Sequence, residues 1–228
     1  MTVAVVAVPG LGLSVAVVRR ALDRLPGVAR TVVLLPAFGH RAPRSKDVAP
    51  EPLADLLLAD LPLECVLVGH SASCQIVAEV ALREPDRVAG LVLVGPTTDP
   101  RAATWPKLVR RWLRTAAHEH PGQIPLLVRA YARTGLVSMA RGMDAARRHR
   151  LDRTLAGVTC PVLVVRGRAD AICPADWAAA LAAATPQGSV ETLPAGAHMV
   201  PVTHPEALAA RIAAFVDGRI AQRMRPSM

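Results

Sequence analysis

Apolar residues in this chain of 228 fall into two alternating arrangements. Short apolar runs at residues 3–8, 32–35, 65–68, 88–94 and 161–165 are bounded mostly by Gly, Pro or charged positions, and Ser189 to Leu193 reads as a further short strand. Runs so brief and rich in Val and Leu predict strands covered on both faces. Between them, apolar residues recur every three or four positions: Val15, Val18, Leu22 and Leu25, stopped by Pro26-Gly27; Leu53, Leu57 and Leu61; residues 72–83, broken at Glu84-Pro85-Asp86; an alanine-rich stretch at 176–184; and residues 205–215. These predict amphipathic helices, with Ser14 placed to cap the first. Parallel strands need a crossover between them, so strand alternating with helix implies a doubly wound sheet. Residues 36–50, rich in Pro and charge, read as loop, and the tail after Gly218 as frayed. The predicted fold class is α/β, with a six-stranded, mostly parallel sheet.

The alternation stops at Gly95-Pro96-Thr97-Thr98-Asp99-Pro100 and resumes only near residue 159. In between, Trp105, Leu108, Val109, Trp112, Leu113 and Ala116 share one helical face, and Lys107, Arg110, Arg111 and Arg114 the other. This face is expected to lie on an apolar surface. Helical stretches at 126–133 and 136–149 complete an insertion, so the chain divides into a core of residues 1–97 and 159–228 and a helical insertion of residues 98–158. A loop leaving the carboxyl end of a strand places that insertion above the same end of the sheet.

The net charge of +9 changes this picture only locally: twelve Lys or Arg and three acids lie between Arg101 and Arg153, so the rest of the chain is balanced. A basic patch with few aromatics to stack on bases, and no nucleic-acid motif, argues against DNA or RNA binding. With 52% hydrophobic residues, disorder is excluded. No run approaches the ~20 apolar residues of a membrane span, and no charged leader precedes the first strand, so a cytoplasmic protein with no membrane partner is expected. Cys65, Cys74, Cys160 and Cys173 lack metal-finger spacing and read as reduced structural thiols. Abundant Ala, Arg, Val and Pro with little Lys suggests a bacterial source of high GC content.

Candidate chemistry sits at the strand ends. Gly69-His70-Ser71-Ala72-Ser73 joins a strand to a helix, and small residues two before and two after the serine let the two backbones approach. Such a turn lifts the Ser71 hydroxyl above the sheet and aims the Ala72 N–H into the same space. Serine becomes a useful nucleophile when a histidine accepts its proton and a carboxylate holds the histidine tautomer. Asp170 and His198 follow later strands and supply both. Asp99 is an alternative acid, and His204, in a Thr-His-Pro-Glu helix start, a competitor for the base. His70 is read as packing or bonding backbone; His40, His118, His120 and His149 as surface residues.

These residues, in the order Ser71, Asp170, His198, resemble the α/β-hydrolase superfamily over nearly the whole chain outside the insertion. Gly69 to Ser73 resembles its nucleophile elbow, residues 81–94 the passage after it, residues 160–170 the strand ending in the acid, and residues 196–215 the histidine loop and last helix. The resemblance implies Ser71 as nucleophile, Asp170 as acid, His198 as base and residues 98–158 as a helical cap. It also puts Gly10-Leu11 in the oxyanion loop, so that the N–H groups of Leu11 and Ala72 would form the hole. Ser73 stands where the family usually has Gly, Pro9 where it often has His, and the sheet is expected to lack the two antiparallel strands that commonly begin the fold.

The implied activity is that of a serine hydrolase of EC 3.1 type, cleaving an ester, thioester or lactone of a small-to-medium, partly hydrophobic substrate through an acyl-enzyme on Ser71. Alternatives on the same fold are a C–C bond hydrolase, a thioesterase or acyltransferase acting on coenzyme A or an acyl carrier protein, and a non-hydrolytic cyclase or binding protein. No metal or organic cofactor is required. Gly10, Trp105, Trp112, Tyr131 and Met199 are the candidate substrate contacts, packing within the insertion being the plainer role for the three aromatics. The basic insertion suggests an anionic or carrier-bound small molecule as partner.

Overall fold

The computed structural model describes residues 3–223. In chain order the elements before the Ser71 turn are β1 (Ala4–Val8), α1 (Val15–Leu22), β2 (Arg30–Val32), the two-residue strands β3 (Leu35–Pro36) and β4 (Gly39–His40), α2 (Pro50–Ala59) and β5 (Cys65–His70). Then come α3 (Ser73–Arg83), β6 (Val88–Val94), α4 (Trp105–Ala116), α5 (Ile124–Thr134), α6 (Leu136–Ala146) and α7 (Leu151–Leu155). The chain returns to the sheet through β7 (Val162–Gly167), α8 (Ala175–Ala183), β8 (Gly188–Leu193), α9 (Val200–Thr203) and α10 (Pro205–Arg223).

Six strands make one sheet in the order β2-β1-β5-β6-β7-β8, every neighbouring pair parallel. The period of two along each strand divides the core. Val6, Val8 and Leu67 pack with Leu53, Leu57, Ile76 and Leu181 of α2, α3 and α8 on one face. Val5, Ala7, Val66 and Val68 pack with Val18, Leu22, Leu208 and Ile212 of α1 and α10 on the other. β5 is buried at every position because strands flank it on both sides and helices cover both its faces. From β1 the chain proceeds outward to β2, whereas β5 leads the other way to β6. The loops after β1 and β5 therefore part and leave a crevice at the carboxyl ends, the usual place for a ligand in such sheets.

Several sequence expectations are corrected. The second sheet strand is Arg30–Val32, not residues 32–35, and it is largely exposed. As an edge strand it needs no apolar run, while Arg30 donates to the carbonyl oxygens of Leu22 and Leu25 at 3.1 Å each and so satisfies the end of α1. Leu35 instead leaves the sheet for the β3–β4 pairing within what was read as loop. α1 stops at Leu22, and Ser14 stands at its N-cap without a side-chain bond. α10 continues past Gly218 to Arg223, and residues 224–228 of the expected frayed tail lie outside the described residues.

Four helices, α4 to α7, occupy the chain between β6 and β7. α4 forms where its apolar periodicity predicts, yet its apolar face is not covered: Trp105, Val109, Trp112 and Leu113 remain 43–57% exposed, and Thr115 is the one buried residue of the helix. α7, unforeseen from the sequence, packs Leu151 and Leu155 into the core beside α3. All four cysteines are buried, and none is in a disulfide among the described residues. Among the described residues, no helix is long and apolar enough to cross a membrane.

Candidate active site

Strand becomes helix within two residues, β5 ending at His70 and α3 beginning at Ser73. Ser71 adopts φ 59°, a left-handed conformation that a non-glycine residue rarely takes and that functional sites often hold. A Cβ at Gly69 would stand 2.7 Å from Val77 Cγ2 and 2.8 Å from Cys74 Cα, so only glycine lets α3 approach β5 this closely. Ser73 is fully buried; its Oγ accepts the His70 N–H at 2.8 Å and lies 2.8 Å from the Val8 carbonyl oxygen, within reach of donating to it. The hydroxyl thus ties the turn to β1. The Ser71 N–H donates to Val94 O of β6 at 2.8 Å, which fixes the turn from its other side.

Ser71 Oγ lies 2.8 Å from His198 Nε2, and His198 Nδ1 lies 2.8 Å from Asp170 Oδ2. The carboxylate makes Nδ1 the protonated nitrogen and leaves Nε2 to accept from the hydroxyl. Asp170 Oδ1 accepts the N–H groups of Ile172 and Cys173 at 2.9 and 3.0 Å. Burial pushes the Asp170 pKa up, but the charge and hydrogen bond of His198 and these two N–H groups outweigh it and hold the carboxyl below its usual range. For His198 burial acts downward, and the Asp170 charge and hydrogen bond overcome it, so its pKa is raised above 6.5. Arg166, buried at the end of β7, donates to Cys173 O at 2.7 Å and Asp170 O at 2.9 Å and shapes the acid loop. The Ala169 N–H donates to Gly196 O at 3.0 Å, joining that loop to the histidine loop.

The N–H groups of Leu11 and Ala72 have no acceptor among the described residues, and Leu11, Ser71 and His198 line one cavity. This cavity has a volume of about 240 Å³ and walls that are mostly apolar. Trp105, Trp112, Tyr131 and Met199 line it as the sequence suggested; Gly10 does not, because its Cα faces the His70 ring, where an added Cβ would meet Nδ1 at 2.9 Å. Leu13, Val109, Met139, Met143 and Ile172 also line it and were missed. Met139 and Met143 stand one turn apart on α6, a spacing that marks a shared face but not what that face meets.

His70 is fully enclosed and donates through Nε2 to His198 O at 3.0 Å. Burial first, then the neighbouring His198, pushes its pKa down to about 3, so the ring is neutral. Asp99, the alternative acid, is not bonded to His198: its carboxylate is held by Arg101 at 2.7 Å and Arg111 at 2.8 Å. His204 bonds Thr203 Oγ1 at 2.9 Å and takes no part in the site. His149, expected at the surface, is buried because Glu79 receives it at 2.8 Å; Thr154 Oγ1 also donates to Glu79, at 2.9 Å. Glu51, Glu79 and His149 form the one His/Cys/acid cluster among the described residues close enough for a cation, but the Glu79 oxygens are already engaged by His149, Thr154 and Arg83.

The sequence pattern of the alpha/beta hydrolase family matches residues 5–211. The chain belongs to that family. Similar proteins include pimeloyl-[acyl-carrier protein] methyl ester esterases of Yersinia enterocolitica, 26% identical over 235 residues with 91% of each chain covered, and of Edwardsiella ictaluri, 26% identical over 240 residues with 92% of each covered. Among solved structures, a hydrolase from Oleispira antarctica superposes with a TM-score of 0.79 at 15% identity, covering 95% of this chain and 91% of its own. The enol-lactonase of Burkholderia xenovorans gives 0.74 at 17% identity, covering 95% and 92%. At such identities the superpositions speak for the fold. The family and the esterase-named relatives make this α/β hydrolase an enzyme of the esterase type.

Proposed function

We propose that the enzyme cleaves an ester, thioester or lactone by two-step acyl transfer through Ser71. The observation that carries this reading is the unbroken contact from Ser71 Oγ to His198 Nε2 to Asp170, 2.8 Å at each step, opening into an apolar cavity. Ser71 attacks the carbonyl carbon while His198 takes its proton; the Leu11 and Ala72 N–H groups receive the negative oxygen; His198 returns the proton to the leaving oxygen or sulfur. Water then repeats the sequence on the acyl-enzyme. Asp170, already ionised, stabilises the imidazolium formed in both halves.

Residues 98–158 serve in this proposal as a cap over the cavity, and the exposed apolar side of α4 receives the hydrophobic part of the substrate at its mouth. The relatives are named for an ester borne by an acyl carrier protein, and two features suit such a substrate here. Trp105, Val109 and Trp112 offer a path for an acyl chain, and Lys107, Arg110 and Arg114 on the same helix offer cations to an acidic carrier. Fluorophosphonate labelling, with the adduct mapped by mass spectrometry, tests the nucleophile: label on Ser71, lost in Ser71→Ala, is the expected result, and a folded protein left unlabelled would sink the reading. Acyl esters, free and carrier-bound, then test the partner. Added salt should depress turnover of the carrier-bound ester alone, and equal sensitivity of the two would remove the carrier.

A further inference from the structure

The peptide unit after His198 is held at both ends. Its carbonyl, His198 O, accepts from His70 Nε2 at 3.0 Å, and its N–H, that of Met199, donates to Glu119 Oε1 at 2.8 Å. In a trans peptide these two groups point in opposite directions, so the bonds grip the plane from opposite sides. The core supplies one grip from the residue before Ser71, and the chain just beyond α4 supplies the other. Glu119 is itself fixed, Oε2 accepting from Gln123 Nε2 at 2.9 Å. One turn earlier Thr115, the buried anchor of α4, accepts the N–H of Ala171 at 3.0 Å, beside Asp170. The end of α4 and the chain just beyond it therefore touch the residue following each of Asp170 and His198.

We infer that Glu119 and His70 are positioning residues that clamp the His198–Met199 peptide and thereby set the approach of the His198 ring to Ser71, with Thr115 steadying the acid loop. The inference rests on the reading of Ser71 and His198 as the reacting pair. It makes the cap part of the catalytic geometry as well as a wall of the cavity. Glu119 has a second effect separable from the first: its negative charge favours the imidazolium of His198. The other titratable groups facing that ring are Asp170 at Nδ1 and His70, neutral, with ring centroids 5.1 Å apart.

Two variants separate geometry from charge. Glu119→Asp keeps the charge and withdraws the acceptor by one methylene. Glu119→Gln keeps an acceptor of the same length without the charge, and the unpartnered Gln123 Oε1 can turn to meet the new amide. With a short soluble aryl ester, E119D should lose about ten- to a hundredfold in kcat, the scale of a displacement near 1 Å, while KM stays within about twofold and the pH profile holds. E119Q should keep kcat within about threefold and carry the acid limb of kcat/KM to lower pH, as loss of a neighbouring anion requires. E119D at the wild-type rate, or both variants changed only in KM, overturns the clamp. Labelling by fluorophosphonate distinguishes the two failures: wild-type enzyme unlabelled at Ser71 defeats the functional reading, whereas normal labelling of wild type and an equal rate in E119D defeats the clamp alone.

Discussion

Gly69 offers a test of whether the close approach of α3 to β5 sets the reactivity of Ser71. In Gly69→Ala the new methyl would lie 2.7 Å from Val77 Cγ2, 2.8 Å from Cys74 Cα and 2.9 Å from Cys74 N. Val77 is fully buried and β-branched, so it cannot rotate aside, and the Cys74 atoms are backbone in the first turn of α3. Carbon atoms rest at about 3.5 Å or more, so the start of α3 must retreat by roughly 0.7 Å. Overpacking of this kind costs about 1–3 kcal/mol, or roughly 2–12 °C in Tm for a chain of this size. Ser71 rides on the same turn, and a shift near 1 Å can cost about a hundredfold in rate. Thermal melting and the rate of fluorophosphonate labelling read the two effects. Gly27→Ala is the control: φ 64° but open space around it, so that variant should lose about 1–2 kcal/mol of stability and label at the normal rate. A G69A protein with the melting temperature and labelling rate of wild type would refute the steric account.

Three further outcomes are expected. Because His198 must be neutral to accept the Ser71 proton and its pKa is raised, the acid limb of kcat/KM should lie above pH 6.5; Asp170→Asn should move it down and reduce kcat by about 10⁴-fold through the wrong tautomer, and a pH–rate series checks both. Burial holds the thiols of Cys65, Cys74 and Cys173 protonated, Cys65 at about 11 despite Arg87, so a thiol reagent at pH 8 should modify none of these three in native protein and all of them after denaturation. Trp112→Ala should raise KM for long-chain acyl esters severalfold and leave short ones nearly unchanged, since the ring lines the cavity but lies apart from Ser71, His198 and Asp170 in the chain of bonds; equal effects on both would deny the acyl path.

What could be read from the sequence follows the range of the forces involved. Interior strands such as Val88–Val94 are apolar at every position because both faces are covered, and their runs declare them. β2 escapes because an edge strand obeys pairing more than burial, and Arg30 begins it with donors for one carbonyl at the end of α1 and one in the turn after it. The Ser71 turn was legible because its demands fall within five consecutive residues. His149 was misread because its partner, Glu79, is 70 positions away.

α4 shows how a correct local reading can give the wrong surroundings. Its periodicity predicted both the helix and the face, and an apolar face ordinarily means burial. Here Trp105, Val109 and Trp112 border a cavity instead, so the exposure that would be a defect in a structural helix suits the acyl substrate proposed above. The helix can leave that side open because it is held elsewhere, by buried Thr115 near its end and by Glu119 just beyond, both hydrogen-bonded to loops that carry Asp170 and His198. Open along the cavity and pinned beside the loops of Asp170 and His198, α4 can in the proposed reading accept different hydrophobic groups without loosening the residues proposed to do the chemistry. On the proposed reading, α4 and the residues just beyond it carry both specificity and positioning, and changes at Trp112 and Glu119 should divide between KM and kcat.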